Sequence, residues 1–427
     1  MNAHYEQTLH SIPQLSTAKR KFTMAQRRIG IWFIGARGGV ATTTIVGLTA
    51  LKKALAGTEG LVTELPRFAG LDLASWNEFI IGGYDIRNVS LYNEAMNLVR
   101  VSNALDGELV AKCKPELDKI DKNIKLGSVY NVGSAIERFA EDEIRSQKEA
   151  PRDVIDRVQS DLKAFAKKHE LDQLIVMNVA STEPPVDDAQ LPPRWRDLAK
   201  LVEKPRKCPL AASSLYAIAA LELGYPYVNF TPSLGSAPQA ICELAIERET
   251  CHMGHDGKTG ETLLKSALAP MFASRNLNVM SWVGHNIFGN MDGKVLDDPE
   301  NKKTKVRSKD RLLHQILGYS PQTLVSIEYI ESLGDWKTAW DHIHFRGFLG
   351  TKMAMQFTWQ GCDSLLAAPL VIDLVRLTER ARRAGEIGLL TFLASFFKSP
   401  LGVTEHDFVR QFQMLEAWSD ELVRQGK

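Results

Sequence analysis

Apolar positions along this chain follow two periods, and the periods alternate. From Ile29 to Ile34 the run Ile-Gly-Ile-Trp-Phe-Ile is apolar throughout and rich in β-branched and aromatic side chains, as expected of a strand covered on both faces in a parallel sheet. It ends in Gly-Ala-Arg-Gly-Gly-Val-Ala. From Thr42 to Leu55, Ile45, Leu48, Leu51 and Leu55 then recur at the spacing of one helix face. Helical spacing returns at Pro151 to His169 and at Ser214 to Leu223, the latter stopped by Gly224, while Leu174 to Val179 and Tyr227 to Phe230 read as further buried strands. This alternation predicts an α/β fold with a parallel sheet.

Beyond residue 255 the texture changes. Val279 to Val283, Ser326 to Ile330 and Lys352 to Trp359 read as strands, and the last alternates Met353, Met355, Phe357 and Trp359 with polar or small neighbours, as in a sheet with one covered face. From Cys362 the helical period resumes, with Asp363-Ser364 as the expected N-cap and Gly385 as the stop. These changes predict an inserted domain at 256–362 that divides a parallel-sheet domain into 29–255 and 363–427, preceded by a flexible tail at 1–28.

Composition narrows the class. With 427 residues, 44% hydrophobic and 24% charged, the chain is neither disordered nor collagen-like and is long enough for two or three folding units. Fifty-two Lys plus Arg against 51 Asp plus Glu give a net charge of +1, so no overall field draws it to nucleic acid or an anionic membrane. Any anion site must be local. Five scattered cysteines without a C-x-x-C pair suit a reducing compartment. No apolar run approaches the ~18–20 residues that span a bilayer, and the basic N-terminus lacks the apolar stretch of a secretory signal. A soluble cytoplasmic protein is expected.

Several segments could carry chemistry. The turn Gly35-Ala36-Arg37-Gly38-Gly39-Val40-Ala41 would let backbone N–H groups approach a pyrophosphate at a helix N-terminus, although Arg37 stands where G-x-G-x-x-G has its second glycine and such a turn can be purely structural. Gly82-Gly83-Tyr84-Asp85 pairs glycines with a carboxylate able to meet a ribose, but alone it reads as a turn. Cys251-His252-Met253-Gly254-His255-Asp256 groups metal-ligand types without the second cluster a zinc site recruits, so no metal is assigned there. On residues alone Asp256 would cap a helix over Lys258 to Leu268.

The cationic stretch from Lys294 to Arg311 is more telling. A helix over Thr304 to Leu317 would set Lys305 and Lys309 on one stripe with Leu312, Leu313 and Ile316, and two lysines on an apolar face call for an anion. Lys398, closing the apolar run Leu389 to Phe397, either complements a helix C-terminus or stands as an ammonium in a poorly hydrated pocket, where it could move protons near neutral pH. Lys337 beside Trp336 is unremarkable by itself.

Gly254-His255-Asp256-Gly257-Lys258-Thr259-Gly260, the Asn286 to Gly293 stretch ending Gly-Asn-Met-Asp-Gly, Cys362-Asp363-Ser364-Leu365-Leu366-Ala367-Ala368-Pro369-Leu370, and Phe396-Phe397-Lys398-Ser399-Pro400 resemble the inositol-3-phosphate synthase family, over about residues 29–420. The resemblance implies a Rossmann-like domain built from both chain ends and an inserted α+β sheet domain that serves catalysis and homotetramer assembly. It implies conversion of D-glucose 6-phosphate to 1D-myo-inositol 3-phosphate by oxidation at carbon 5, proton loss at carbon 6, aldol closure onto carbon 1 and reduction, with tightly held NAD regenerated. Carried over by motif, the catalytic lysines are Lys305, Lys309, Lys337 and Lys398, with Asp256, Asn290, Asp292 and Asp363 near the nicotinamide and sugar. Lys305 would relay the carbon 5 hydroxyl proton, Lys309 and Lys337 would hold phosphate and aldehyde oxygen, and Lys398 would stabilise the carbon 5 oxyanion. Gly35, Ala36, Arg37, Gly38, Gly39, Val40 and Asp85 would contact NAD, together with Asp256 and Asp363.

The chain departs from the family pattern at His255, where Asp is usual, at Met291, where a second Asn is usual, and at Arg37 with the threonines after it. Relatives differ in using a divalent ion or ammonium, so the resemblance leaves the cation open. The competing readings are an NAD-dependent dehydrogenase or another sugar-phosphate cyclase, and a non-catalytic NAD sensor. A dehydrogenase would release NADH; a sensor would leave the sugar unchanged.

Overall fold

The computed structural model describes residues 27–204, 207–289 and 312–426. Its strands are β1 (Ile29–Ile34), β2 (Phe79–Asp85), β3 (Ile124–Leu126), β4 (Gln173–Asn178), β5 (Tyr227–Asn229), β6 (Cys251–Gly254), β7 (Asn278–Phe288), β8 (Gln322–Tyr329), β9 (Trp336–Arg346), β10 (Lys352–Cys362) and β11 (Gly388–Leu389). Seven of them form one parallel sheet in the order β11-β6-β5-β4-β1-β2-β3. The chain thus runs outward from β1 through β2 and β3, then returns to β1's other side for β4, β5 and β6. That reversal opens a crevice beyond the carboxyl ends of β1 and β4, where this class of sheet takes its ligand.

Side-chain alternation along β1 explains why both faces are covered. Ile29, Ile31 and Phe33 enter one core with Ile45 and Leu48 of the first helix, α1 (Gly39–Lys52), and with Val371 and Leu374 of the Asp363–Ala384 helix. Trp32 and Ile34 enter the other, with Val158 and Leu162 of Pro151–His169 and Leu215 and Ile218 of Ala212–Glu222. Each such buried side chain contributes about 1.5–3 kcal/mol.

The expected turn at Gly82-Gly83 is corrected: both lie inside β2, paired with Trp32 and Phe33. They are glycines because a Cβ on Gly82 would stand 2.9 Å from the Trp32 ring and one on Gly83 would stand 2.4 Å from the Phe33 carbonyl oxygen. Close approach of a ring at Gly82 and of the β1 backbone at Gly83, not a reversal, sets the residue type. The first helix also begins earlier than its apolar stripe, at Gly39.

The second sheet has the order β10-β9-β7-β8 and is mixed, with β7 and β8 parallel. The Gly260–Ser274 helix covers one face, where Phe272, Trp282 and Ile343 are buried and Met355 and Phe357 pack partly buried against them. The alternation read in β10 therefore holds from Met355 to Trp359, whereas Met353 stands exposed. Residues 312–317 are helical, with Leu312 and Leu313 buried. Lys305 and Lys309 lie outside the described residues, as do Asn290 and Asp292.

Candidate active site

The carboxyl ends of β1 and β4 place the glycine turn against the chain leaving β4. Gly35 has φ +82, and a Cβ there would lie 2.7 Å from Ala180 Cα, so only glycine fits. The N–H groups of Gly35 and Ala36 both donate to the Tyr84 carbonyl at 2.9 Å, which folds the turn over the end of β2. Arg37 N–H donates to Asp85 Oδ2 at 2.7 Å. Helix α1 then starts behind Gly38 with no side chain capping it, and its free N–H groups carry partial positive charge. An uncapped helix start, a turn without side-chain bulk and a carboxylate at the end of β2 fit a dinucleotide such as NAD. Gly35, Ala36, Gly38, Gly39, Val40 and Asp85 are brought together there.

A second group converges on the same helix start from the inserted sheet. A Cβ on Gly39 would meet Ser364 Cβ at 3.9 Å and Asp335 Oδ1 at 4.0 Å. Asp335, just ahead of β9, accepts from Ser364 N at 3.0 Å, from the Ser364 hydroxyl, and from Cys362 Sγ at 2.8 Å, while its carbonyl accepts from Asp363 N at 3.2 Å. Burial pushes its carboxyl pKa up, against the pull of those donors. Lys337, two residues on, has its ammonium 5.3 Å from the Phe288 ring centre. The N-cap of the Asp363–Ala384 helix is Cys362 rather than Asp363-Ser364, and Asp363 is its first residue. Sequence reading missed Asp335, since a lone aspartate before Trp-Lys carries no signal until the fold sets it on a helix start.

The third group lies beyond β6. Lys398 Nζ is 2.8 Å from Asp256 Oδ1. An antiparallel bridge between Gly257 and Phe397 fixes the pair, with Lys258 N donating to the Phe396 carbonyl at 2.8 Å and Asp256 N to the Thr231 carbonyl at 2.9 Å. Asp256 therefore does not cap the next helix, which starts at Gly260 behind Thr259. Lys398 follows a 3-10 turn, Thr391–Phe396, and answers a carboxylate instead of complementing an α-helix end.

Lys258, only 2% exposed, is a buried lysine inside the Gly254–Gly260 stretch to which the sequence reading gives no role. Its ammonium donates to Gln411 Oε1 of the Phe408–Arg424 helix and lies 5.9 Å from the Phe408 ring. Burial brings its pKa down to about 7, with Asp407 opposing and Lys398 reinforcing the fall. His255 is lowered too, chiefly by burial and against the pull of Asp256. Cys251 packs in the core, and His252 Nδ1 lies 2.9 Å from Ser236 Oγ, so these two serve packing and hydrogen bonding.

Beneath this edge runs a polar network. Asn178 Nδ2 donates to Asn229 Oδ1 at 3.1 Å, Thr231 N donates to the same oxygen at 3.1 Å, and Ala180 N donates to Asn178 Oδ1 at 3.2 Å. It joins the chain facing Gly35 to the chain holding Asp256. Glu183 is buried beside it and accepts from Ser213 N at 2.8 Å; burial raises its pKa to about 7 despite that bond.

The profile of the myo-inositol-1-phosphate synthase family matches residues 29–419. An inositol-3-phosphate synthase of Bacteroides thetaiotaomicron is 31% identical, over 93% of this chain and 96% of its own. The crystal structure of inositol-3-phosphate synthase from Caenorhabditis elegans superposes with a TM-score of 0.83 at 25% identity, over 93% of this chain and 86% of that one. A myo-inositol-1-phosphate synthase-related protein from Thermotoga maritima gives 0.75 at 26%, over 92% and 99%. With the glycine turn, the Lys398–Asp256 pair and the second sheet in place, these matches show that the chain belongs to the inositol-3-phosphate synthase family, which converts glucose 6-phosphate to inositol 3-phosphate with NAD.

Proposed function

We propose that this chain cyclises D-glucose 6-phosphate to 1D-myo-inositol 3-phosphate, with Lys305, Lys309, Lys337 and Lys398 as its catalytic cations. The observation that carries the reading is the Lys398–Asp256 pair at the carboxyl edge of the parallel sheet, at the same edge as the uncapped start of α1. Asp256 orients the Lys398 ammonium, and that ammonium neutralises the oxyanion at carbon 5. Lys337 and Lys309 hold the phosphate and the aldehyde oxygen, and Lys305 takes the carbon 5 hydroxyl proton. By motif, Asn290, Asp292 and Asp363 are assigned to the nicotinamide and sugar. Gly35 to Val40 and Asp85 hold the dinucleotide. NAD held there would supply a hydride acceptor and donor for the sugar.

The same reading covers organisation. Residues 29–255 with 363–427 form the NAD-binding unit, 256–362 form the catalytic and assembly unit, and the chain works as a homotetramer in the cytoplasm. Among the described residues no helix is long and apolar enough to cross a membrane. The four-stranded sheet leaves Leu324 and Trp340 exposed, which supports assembly through that unit.

Purified protein given NAD and glucose 6-phosphate should form inositol phosphate without net NADH. Released NADH would indicate a dehydrogenase instead, and unchanged sugar would indicate a sensor.

A further inference from the structure

We propose that Arg37, Arg87, Asp121 and Glu94 form a clasp around Asp85 that admits a dinucleotide with a free ribose 2′-hydroxyl and turns away one with a 2′-phosphate. The inference rests on the reading of the glycine turn as an NAD site. In this class of sheet the carboxylate ending the second strand meets the ribose, and a nearby arginine is the usual sign of a 2′-phosphate site. Two arginines here suggest the phosphate. Their partners point the other way.

Arg37, 7% exposed, spends Nε and Nη2 on Asp121 Oδ1 at 3.2 and 3.0 Å and Nη1 on the Arg87 carbonyl at 2.8 Å. Arg87 places Nη1 3.3 Å from Glu94 Oε2, gives Nη2 to the Arg37 carbonyl, and has Nε 3.4 Å from Asp85 Oδ1. Neither guanidinium presents an unspent fork to a phosphate. Asp121 is fixed in turn, since its Oδ2 accepts Leu91 N at 2.9 Å.

Two positive charges therefore face three negative ones, Asp85, Glu94 and Asp121, and an incoming 2′-phosphate meets net repulsion in a partly buried site. A hydroxyl meets none. Asp85 accepts Arg87 N on Oδ1 at 2.9 Å, the oxygen that also faces Arg87 Nε, and Arg37 N on Oδ2 at 2.7 Å, so Oδ2 keeps a second lone pair for a ribose hydroxyl. Arg37, which breaks the glycine pattern of the turn, thereby locks the selecting carboxylate in place.

The test is equilibrium binding of NAD and NADP to the full chain, to the double variant Glu94→Gln/Asp121→Asn, and to Glu94→Gln alone, which keeps the Asp121 anchor in case the double variant does not fold. Wild type should prefer NAD. The double variant should narrow that preference by about tenfold or more, and Glu94→Gln by about threefold, through gained NADP affinity. A preference unchanged in a folded variant overturns the clasp, as does a wild type that prefers NADP. A wild type that binds neither nucleotide overturns the NAD reading itself.

Discussion

Lys398 and Asp256 are joined twice although 142 residues separate them: Nζ to Oδ1 at 2.8 Å and, along the backbone, Lys398 N–H to the Asp256 carbonyl at 2.6 Å. Asp256 takes φ +62, a left-handed conformation uncommon for a residue with a side chain. The backbone bond and the bond from Asp256 N to Thr231 hold it there. The side chains meet because the backbones are already bridged.

Replacing Lys398 by Ala should abolish turnover while NAD affinity stays within about threefold, because the glycine turn and Asp85 are untouched. Asp256→Asn removes the orienting charge and should lower kcat by roughly a hundred- to a thousandfold. Steady-state kinetics beside NAD titration separates the two effects; loss of NAD binding in Lys398→Ala would contradict the assignment.

Lys258 predicts a pH-dependent stability. Its pKa falls from 10.5 to about 7 on folding, so between those values the unfolded chain holds a proton the folded chain lacks, and stability rises with pH through that window. Below pH 7 the burial penalty stands in full, on the order of a few kcal/mol. Lys258→Met should therefore raise Tm relative to wild type more at pH 6 than at pH 10. An equal change at both pH values would show that the ammonium is not strained by burial.

Glu183 gives the opposite sign. Its carboxyl rises from 4.5 to about 7, so the folded chain keeps a proton the unfolded chain has lost, and stability declines as pH climbs from about 4.5 to 7. Glu183→Gln retains an acceptor for Ser213 without the charge. The variant should gain Tm over wild type at pH 8 relative to its difference at pH 5, and thermal melts at the two values check it.

Gly83→Ala should cost about 3 kcal/mol or more, since the new methyl would sit 2.4 Å from the Phe33 carbonyl oxygen and 2.8 Å from Ala36 Cβ. Because β1 and the turn would have to shift together, NAD affinity should fall with stability. Denaturant melts and NAD titration on one preparation would show whether the two move together.

Much of this was legible in the sequence because local pattern decided it. β1 and the Pro151–His169 helix occupy the residues that their periods predicted. Gly82-Gly83 misled because glycine pairs usually mark reversals, whereas here Trp32 and Phe33, on the neighbouring strand, demand the missing side chains. The roles of Asp335 and Lys258 were not legible for a related reason: each acquires its role only when Ser364 or Gln411 arrives from farther along the chain. Motif resemblance reached Lys398 and Asp256 directly, since two short family-like stretches carry them. It passed over Asp121, the partner of Arg37, and Glu94, the partner of Arg87, as neither belongs to a motif.

The central claim is that hydride leaves and returns within one sugar. Glucose 6-phosphate carrying deuterium on carbon 5, incubated with the purified chain and NAD, should yield inositol phosphate that retains the label in full, with none in free NADH or water. Label washed into solvent or into released NADH would contradict it.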